Sequence, residues 1–222
     1  MIITPAIFPE SFEQLVHKLF LLEGLCERVQ IDICDGVFGL EKTWMPYREK
    51  ELPHGFSYEF DLMVHDWRKY LPRVLALGAD RVILHVDFFT AQDFDEAIAI
   101  IKEHKVFLGL SVSNDYDIYD FEKRVRFVET QYSKVFIQLM GIRKIGAQGQ
   151  PFDDEVLARI QYLHDSLRRC EIQIDGSMNN ETILKVLNRG ASCAVVGSYL
   201  MKKDSTAREV RKVYEKLEHN FA

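Results

Sequence analysis

The strongest constraint on the fold is the regular return of short, apolar, β-rich segments along the chain. Eight such segments, separated by amphipathic stretches, span residues 2–7, 29–34, 58–64, 81–86, 106–111, 134–140, 171–175 and 193–197. The 222 residues therefore divide into units of about 28 residues, enough for a strand and a crossover helix. Right-handed crossovers allow an open doubly wound sheet or a closed barrel, and eight near-equal units favour a (β/α)₈ TIM barrel of the α/β class.

Helix signals lie in the stretches between the predicted strands. Ser11 and Gln14 form a capping box before a leucine stripe that stops at Gly24. Helical spacing and glycine stops indicate further helices at 67–77, 154–167, 182–188 and 205–217, with a distorted helix within 116–132. No linker or shift in composition interrupts the pattern, so we expect one domain over residues 1–222.

Composition excludes several classes of protein. Apolar residues make up 47% and charged residues 28% of the chain, which excludes a disordered polypeptide. The net charge is −6 and the basic residues are scattered, so no nucleic-acid partner is expected. No run of 18 apolar residues occurs, so no membrane partner is expected. Four cysteines without a C-x-x-C pair, and an N-terminus without signal-peptide features, predict reduced thiols and a cytoplasmic location.

Polar residues recur at alternating positions near the C-terminal ends of the predicted strands. Because side chains alternate across a strand, one face of each strand is polar and the other apolar. The residues on the polar faces include Gln30, Asp32, Asp61, His85, Gln138, Gln173 and Asp175. Several carboxylates buried together are costly unless a metal, a proton or a ligand compensates. The pattern therefore predicts an active site at the C-terminal face of the barrel.

Each of these residues also has a structural interpretation. A single aspartate at a strand end, such as Asp32, is often a helix cap or a loop anchor. His85 is at least as compatible with a hydrogen-bonded interior histidine, and Met63 and Met140 are typical core residues. Asp35, which precedes a glycine, is as compatible with a turn as with catalysis. Three aspartates converging from three strands favour function.

Glycine-bearing loops after the last three predicted strands indicate a phosphate site. In such barrels, backbone N–H groups at this end commonly bind phosphate, so no lysine is required. The candidate residues are Gly146, Ala147, Gln148 and Gly149 after strand six, Gly176 and Ser177 after strand seven, and Gly197 and Ser198 after strand eight.

Taken in order, these motifs resemble the ribulose-phosphate 3-epimerase family over nearly the whole chain. The family pattern H-x-D-x-M-D-G appears as residues 30–36, and H-L-M as residues 61–63. The family G-G-Q-x-F appears as residues 148–152, D-G-G/S as residues 175–177, and the final G-S as residues 197–198. The ordered set is specific, although each motif alone is weak.

The resemblance implies an isomerase that acts on a small-molecule sugar phosphate. Asp32 would take a proton from C3 of a ketose phosphate, and Asp175 would return one on the opposite face, through an enediolate. Met63 and Met140 match methionines that shield the intermediate from water. The resemblance also implies a divalent metal ion, no organic cofactor and a homo-oligomer.

The departures from the family pattern concern the metal site. Gln30 and Asp61 replace the two metal-binding histidines, and Ala6 replaces an early serine. The candidate metal ligands, Gln30, Asp32, Asp61 and Asp175, offer oxygen or amide atoms, which favours Mg²⁺ or Mn²⁺ over Zn²⁺. Two alternatives stay open. One is a non-catalytic sugar-phosphate binder, and the other is a related barrel decarboxylase, whose D-x-K-x-x-D motif lacks its lysine here.

Overall fold

The computed structural model describes residues 1–39, 41–47, 51–87, 89–146 and 149–221. Eight parallel strands close into a barrel in chain order, with the first strand paired to the last. The strands are β1 (Ile2–Ile7), β2 (Arg28–Cys34), β3 (Ser57–Met63), β4 (Ala79–His85), β5 (Phe107–Val112), β6 (Val135–Met140), β7 (Glu171–Asp175) and β8 (Cys193–Val196). The predicted (β/α)₈ barrel is thus confirmed, and each predicted strand matches to within two residues at either end.

Seven helices surround the barrel in the described part of the chain. They are α1 (Phe12–Leu22), α2 (Trp67–Ala76), α3 (Ala91–His104), α4 (Ile118–Gln131), α5 (Val156–Ser166), α6 (Asn180–Leu187) and α7 (Ala207–Phe221). The Ser11 side chain caps α1 by accepting a hydrogen bond from the Gln14 N–H at 3.2 Å. None of the described helices is both long and apolar enough to cross a bilayer.

Two departures from the predicted pattern lie in the connections. The described residues between β2 and β3 form no helix, whereas the repeated unit predicts one there. This connection contains Pro46, Pro53 and Gly55, residue types that disfavour a helix interior. In contrast, α3 is a regular helix that the sequence analysis does not predict. Its capping box, formed by Thr90 and Asp93, is a recognisable signal.

The apolar core lies between the sheet and the helices. Ile31 and Ile33 on the outer face of β2 are fully buried, as are Leu15 and Leu19 on α1. Each fully buried side chain of this kind contributes roughly 1.5–3 kcal/mol. This layer holds the barrel closed and leaves the inner faces of the strands free for polar residues.

The barrel interior is organised in levels from its floor, at the N-terminal ends of the strands, to its mouth, at the C-terminal ends. On β7 these levels are occupied by Glu171, Gln173 and Asp175. The strand register aligns Gln138 of β6 with Gln173 and Met140 with Asp175. Between β2 and β3 it aligns Gln30 with Glu59 and Asp32 with Asp61. The predicted alternation therefore brings the polar residues into one interior.

Candidate active site

Three aspartates meet at the mouth of the barrel. Asp32, Asp61 and Asp175, here called the carboxylate cluster, each offer an oxygen that lies within 4.8 Å of the others. Asp61 is fully buried, and Asp32 is 8% exposed. They come from β2, β3 and β7, so the closed barrel, not local sequence, brings them together.

An amide joins two members of the cluster. Gln30 Nε2 donates to Asp32 Oδ1 at 2.9 Å and to Asp175 Oδ2 at 3.0 Å. Asp61 receives two other donors: Gln138 Nε2 lies 2.8 Å from its Oδ2, and His85 Nε2 lies 2.8 Å from its Oδ1. His85 is therefore a hydrogen-bonded interior histidine, one of its two interpretations. Each carboxylate is held by at least one N–H donor.

Burial and mutual repulsion disfavour full ionisation of the cluster. Burial, followed by the negative charge of Asp61, raises the pKa of Asp175 to about 7. Burial and the charges of Asp175 and Asp61 raise the pKa of Asp32 well above its usual value. Neighbouring carboxylates in such a site share a proton. The arrangement therefore favours a pair in which one carboxyl group keeps its proton while its neighbour is ionised.

The electrostatics of His85 follow from its partner. Burial acts to lower the pKa of His85, but the charge of Asp61 and the hydrogen bond to it outweigh burial and raise that pKa. A protonated imidazole beside a carboxylate forms a charge-assisted pair. His85 thus offsets part of the negative charge of the cluster.

The cluster opens into a cavity of about 370 Å³ at the barrel mouth, within the range of small-molecule sites. Asp32 and Asp175 line its inner end together with Met63 and Met140. The structure therefore brings both predicted acid–base residues and both predicted methionines to one pocket. Asp61 and Gln30 lie behind this surface and act on it through the contacts above.

Loops after β6, β7 and β8 form the outer end of the cavity. The predicted phosphate-site residues that line it are Gly146, Gly149, Gly176, Ser177, Gly197 and Ser198. The predicted Ala147 and Gln148 lie outside the described residues. Gly176 has a φ of +110°, and a Cβ there would lie 2.9 Å from Ile142 Cγ1, so this turn requires glycine. The backbone can consequently approach a ligand closely.

Several residues of the cavity are not predicted from the sequence. Phe8, Ile142 and Met178 add apolar walls. Lys202 also reaches the cavity, and among the described lining residues it alone carries a positive charge. Lys202 follows Gly197 by five residues, and this closeness in sequence to a predicted phosphate-site glycine is the signal that could have identified it.

Asp35 does not join the cluster. Its Oδ1 accepts from the N–H groups of Val37 and Phe38, and its Oδ2 accepts from the His65 N–H at 2.7 Å. These bonds lower the pKa of Asp35 against the opposing effect of burial. Of the two interpretations offered by the sequence, the structure supports the turn residue.

The carboxylate cluster could hold a metal ion. Three carboxylates offer the hard oxygen ligands that Mg²⁺ and Mn²⁺ prefer, and their ligand atoms are close enough to share one ion. Gln30 presents its amide nitrogen to the cluster, and an N–H group is a donor without the lone pair that a metal needs. The three aspartates are therefore the ligand set that fits, and a ligand role for Gln30 stays a prediction.

Comparisons with known proteins identify the family of this chain. Residues 2–201 match the model of the ribulose-phosphate 3 epimerase family. A ribulose-phosphate 3-epimerase of Chlamydia pneumoniae is 26% identical over 189 residues, which are 82% of this chain and 79% of that protein. The Bacillus subtilis ribulose-phosphate 3-epimerase is 23% identical over 219 residues, with 95% and 97% covered.

A solved structure supports the fold alone. Orotidine 5'-monophosphate decarboxylase from Sulfolobus solfataricus superposes with a TM-score of 0.65 at 16% identity, covering 99% of both chains. Because unrelated chemistries occur on this barrel, the likeness carries no conclusion about activity.

Proposed function

The chain belongs to the ribulose-phosphate 3-epimerase family, a family of isomerases, and from this premise we propose that it is a 3-epimerase of a ketose phosphate. One observation carries the proposal: Asp32 and Asp175 lie at the inner end of a cavity whose outer end is lined by glycine-rich loops. This is the arrangement needed to hold a phosphate and to move protons at carbon atoms near the other end of a short sugar.

The two aspartates would work on opposite faces of C3. The ionised carboxylate takes the C3 proton, and the electron pair of the broken C–H bond forms the C2–C3 double bond of an enediolate. The carboxylic acid on the other side then donates its proton to C3 as the double bond reverts to the carbonyl. Two groups are needed because a single acid cannot easily reach both faces. In the reverse reaction the two aspartates exchange roles.

The raised pKa values suit this cycle. One group must begin ionised and the other protonated, and the pKa of Asp175 near 7 lies close to neutral pH, where acid–base catalysis is most effective. Met63 and Met140, buried at 3% and 2% exposure, would exclude water from the enediolate. The backbone of the glycine loops, with Lys202 at the rim, would hold the phosphate.

A metal ion bound by the carboxylate cluster would polarise the substrate carbonyl and stabilise the enediolate oxygen. Because the ligands are carboxylate oxygens, we expect Mg²⁺ or Mn²⁺. Elemental analysis of protein purified without chelator checks this, and stoichiometric zinc would contradict it.

The substrate test is a panel of pentulose and hexulose phosphates in deuterated solvent, followed by proton NMR. We expect at least one of them to lose its C3 hydrogen signal and to form the 3-epimer. The panel is broad because Ala6 lines the cavity where the family has a serine, which removes a hydroxyl from the site. No exchange and no epimer with any of these sugars would reject the proposal.

A non-catalytic binder of sugar phosphates is the second candidate. The observation in its favour is that Gln30 and Asp61 stand in the places of two family histidines. Thermal shift without exchange or epimer formation on the same panel would identify a binder. The related decarboxylase is disfavoured because, in a D-x-K-x-x-D pattern that starts at Asp32, Cys34 occupies the lysine position and Val37 the position of the second aspartate.

A further inference from the structure

We infer that three buried glutamines, Gln30, Gln138 and Gln173, form a hydrogen-bonded relay that orients the carboxylate cluster from the opposite end of the barrel. This glutamine relay begins at an ion pair between Arg81 and Glu59 near the floor. Its members act as positioning residues, and their effect on catalysis rests on the proposed function. All three glutamines are fully buried.

The ion pair between Arg81 and Glu59 fixes the orientation of Gln173, because Glu59 accepts a hydrogen bond from that glutamine. Arg81 Nε donates to Glu59 Oε2 at 2.5 Å inside the barrel, where Glu59 is fully buried. The guanidinium also stacks over Phe136, 3.6 Å from the ring centroid. Glu59 consequently has little freedom, and it presents its remaining oxygen, Oε1, to Gln173 Nε2 at 2.7 Å.

The amide of Gln173 connects Glu59 to the other two glutamines across the barrel. Its Nε2 also lies 3.1 Å from Gln30 Oε1 and 2.8 Å from Gln138 Oε1. Its two hydrogens are therefore shared among three acceptors, as in a three-centre hydrogen bond. A glutamine that accepts through its oxygen must turn its NH₂ group the other way. Gln30 and Gln138 thus direct their donors away from Gln173.

The NH₂ groups of Gln30 and Gln138 donate hydrogen bonds to the carboxylate cluster. Gln30 Nε2 bridges Asp32 and Asp175, and Gln138 Nε2 contacts Asp61. A flipped amide at position 30 would place its oxygen against two carboxylates and its NH₂ group against that of Gln173. Both ends of the relay therefore select the same orientation.

The relay also holds a donor in place against the acid–base pair. Gln30 Nε2 donates to Asp32 Oδ1 at 2.9 Å and to Asp175 Oδ2 at 3.0 Å, while the oxygen of the same amide accepts from Gln173. A donor held in a fixed position is more effective than a free one, because it costs no reorganisation when charge appears. Loss of the relay should therefore affect the chemical step more than substrate binding.

The test compares Gln173→Met with Ile174→Met. Both changes place methionine in β7 at fully buried positions, but Ile174 faces the helix layer and Gln173 the relay. Neither residue lines the cavity. We expect Gln173→Met to lower kcat about 10- to 100-fold, as for a misplaced catalytic group, with KM within about twofold. Ile174→Met should leave both within about twofold. A Gln173→Met enzyme with wild-type kcat, or one that changes KM alone, would overturn the inference.

A second measurement does not depend on activity or on a variant that folds. In wild-type protein labelled with ¹⁵N-glutamine, the side-chain NH₂ protons of the glutamine relay should exchange with solvent far more slowly than those of exposed Gln92. Equal exchange rates would overturn the relay even if the epimerase activity is found. Slow exchange without any activity would instead reject the proposed function and leave the relay standing.

Discussion

The two ends of the barrel interior carry opposite arrangements of charge. At the floor, Arg81 lies between Glu59 at 2.5 Å and Glu171 at 2.7 Å, so a buried cation compensates the acids. At the mouth, the carboxylate cluster brings three acids together, and the ring of His85 is hydrogen-bonded to one of them, Asp61. Buried charges are normally paired, so an excess of one sign marks a place where stability gives way to function.

The first prediction tests this comparison with two variants on one strand, β7, which has one acid at the mouth and another at the floor. Asp175→Asn at the mouth should lower kcat by about 10²- to 10⁴-fold, because it removes one acid–base group. Binding of inorganic phosphate should persist. Glu171→Gln at the floor should leave kcat within about threefold, since Glu59 still pairs with Arg81. Steady-state kinetics on the two purified variants checks this, and an active Asp175→Asn enzyme would remove the assigned role.

The second prediction concerns stability, where the two ends should respond with opposite sign. Arg81→Met leaves buried Glu59 without its cation and should lower the free energy of unfolding by about 3–5 kcal/mol. Asp32→Asn relieves repulsion at the mouth and should raise that free energy. Urea denaturation in the presence of a chelator measures both. Destabilisation of similar size in both variants would show that the mouth is built like the floor.

The third prediction is the pH dependence of stability. The folded-state pKa of Asp175 is raised from 3.8 to about 7, so the associated stability is fully present below pH 4 and is lost as pH rises through 7. At about 1.4 kcal/mol per unit, the loss is at most roughly 4 kcal/mol. Unfolding followed from pH 4 to pH 8 with chelator should show this decline, and Asp175→Asn should reduce it. The same pH dependence in the wild type and in Asp175→Asn would contradict the pKa direction of Asp175.

The smallest expected effect concerns the outer end of the cavity at the barrel mouth, where the substrate phosphate would bind. Lys202→Met removes the positive charge at the rim of the cavity and should raise KM for a sugar phosphate roughly three- to tenfold, with kcat unchanged. Lys203→Met is the matched control, because Lys203 is not among the residues that line the cavity. The KM difference should shrink as salt is added. Equal KM values for both variants would show that backbone groups alone hold the phosphate.

Strand periodicity made much of the fold and the site predictable. Alternation in β2, β3 and β7 placed Asp32, Asp61 and Asp175 on inward faces, and the register of the closed barrel brings them to one level. The glycine loops were recognisable because close backbone approach requires that residue type. These features depend on local sequence and on a repeated unit, so a single amino-acid sequence is enough to predict them.

What the sequence did not reveal depends on contacts across the barrel. Gln138 and Gln173 were recognised as inward-facing polar residues, but the direction of each amide is set by Glu59, which comes from another strand. The eight-unit pattern implies a helix in every connection, whereas the described residues between β2 and β3, which include Pro46, Pro53 and Gly55, form none. Lys202 lay outside the recognised motifs, and only the turn after β8 brings it to the cavity.

The most direct test of the central claim follows the hydrogen at C3 during a first turnover in deuterated solvent. If Asp32 and Asp175 act from opposite faces, the 3-epimer must carry solvent deuterium at C3 from the start, because the acid that delivers the new hydrogen is not the base that removed the old one. An epimer that retains the substrate's own hydrogen at C3 would contradict the account.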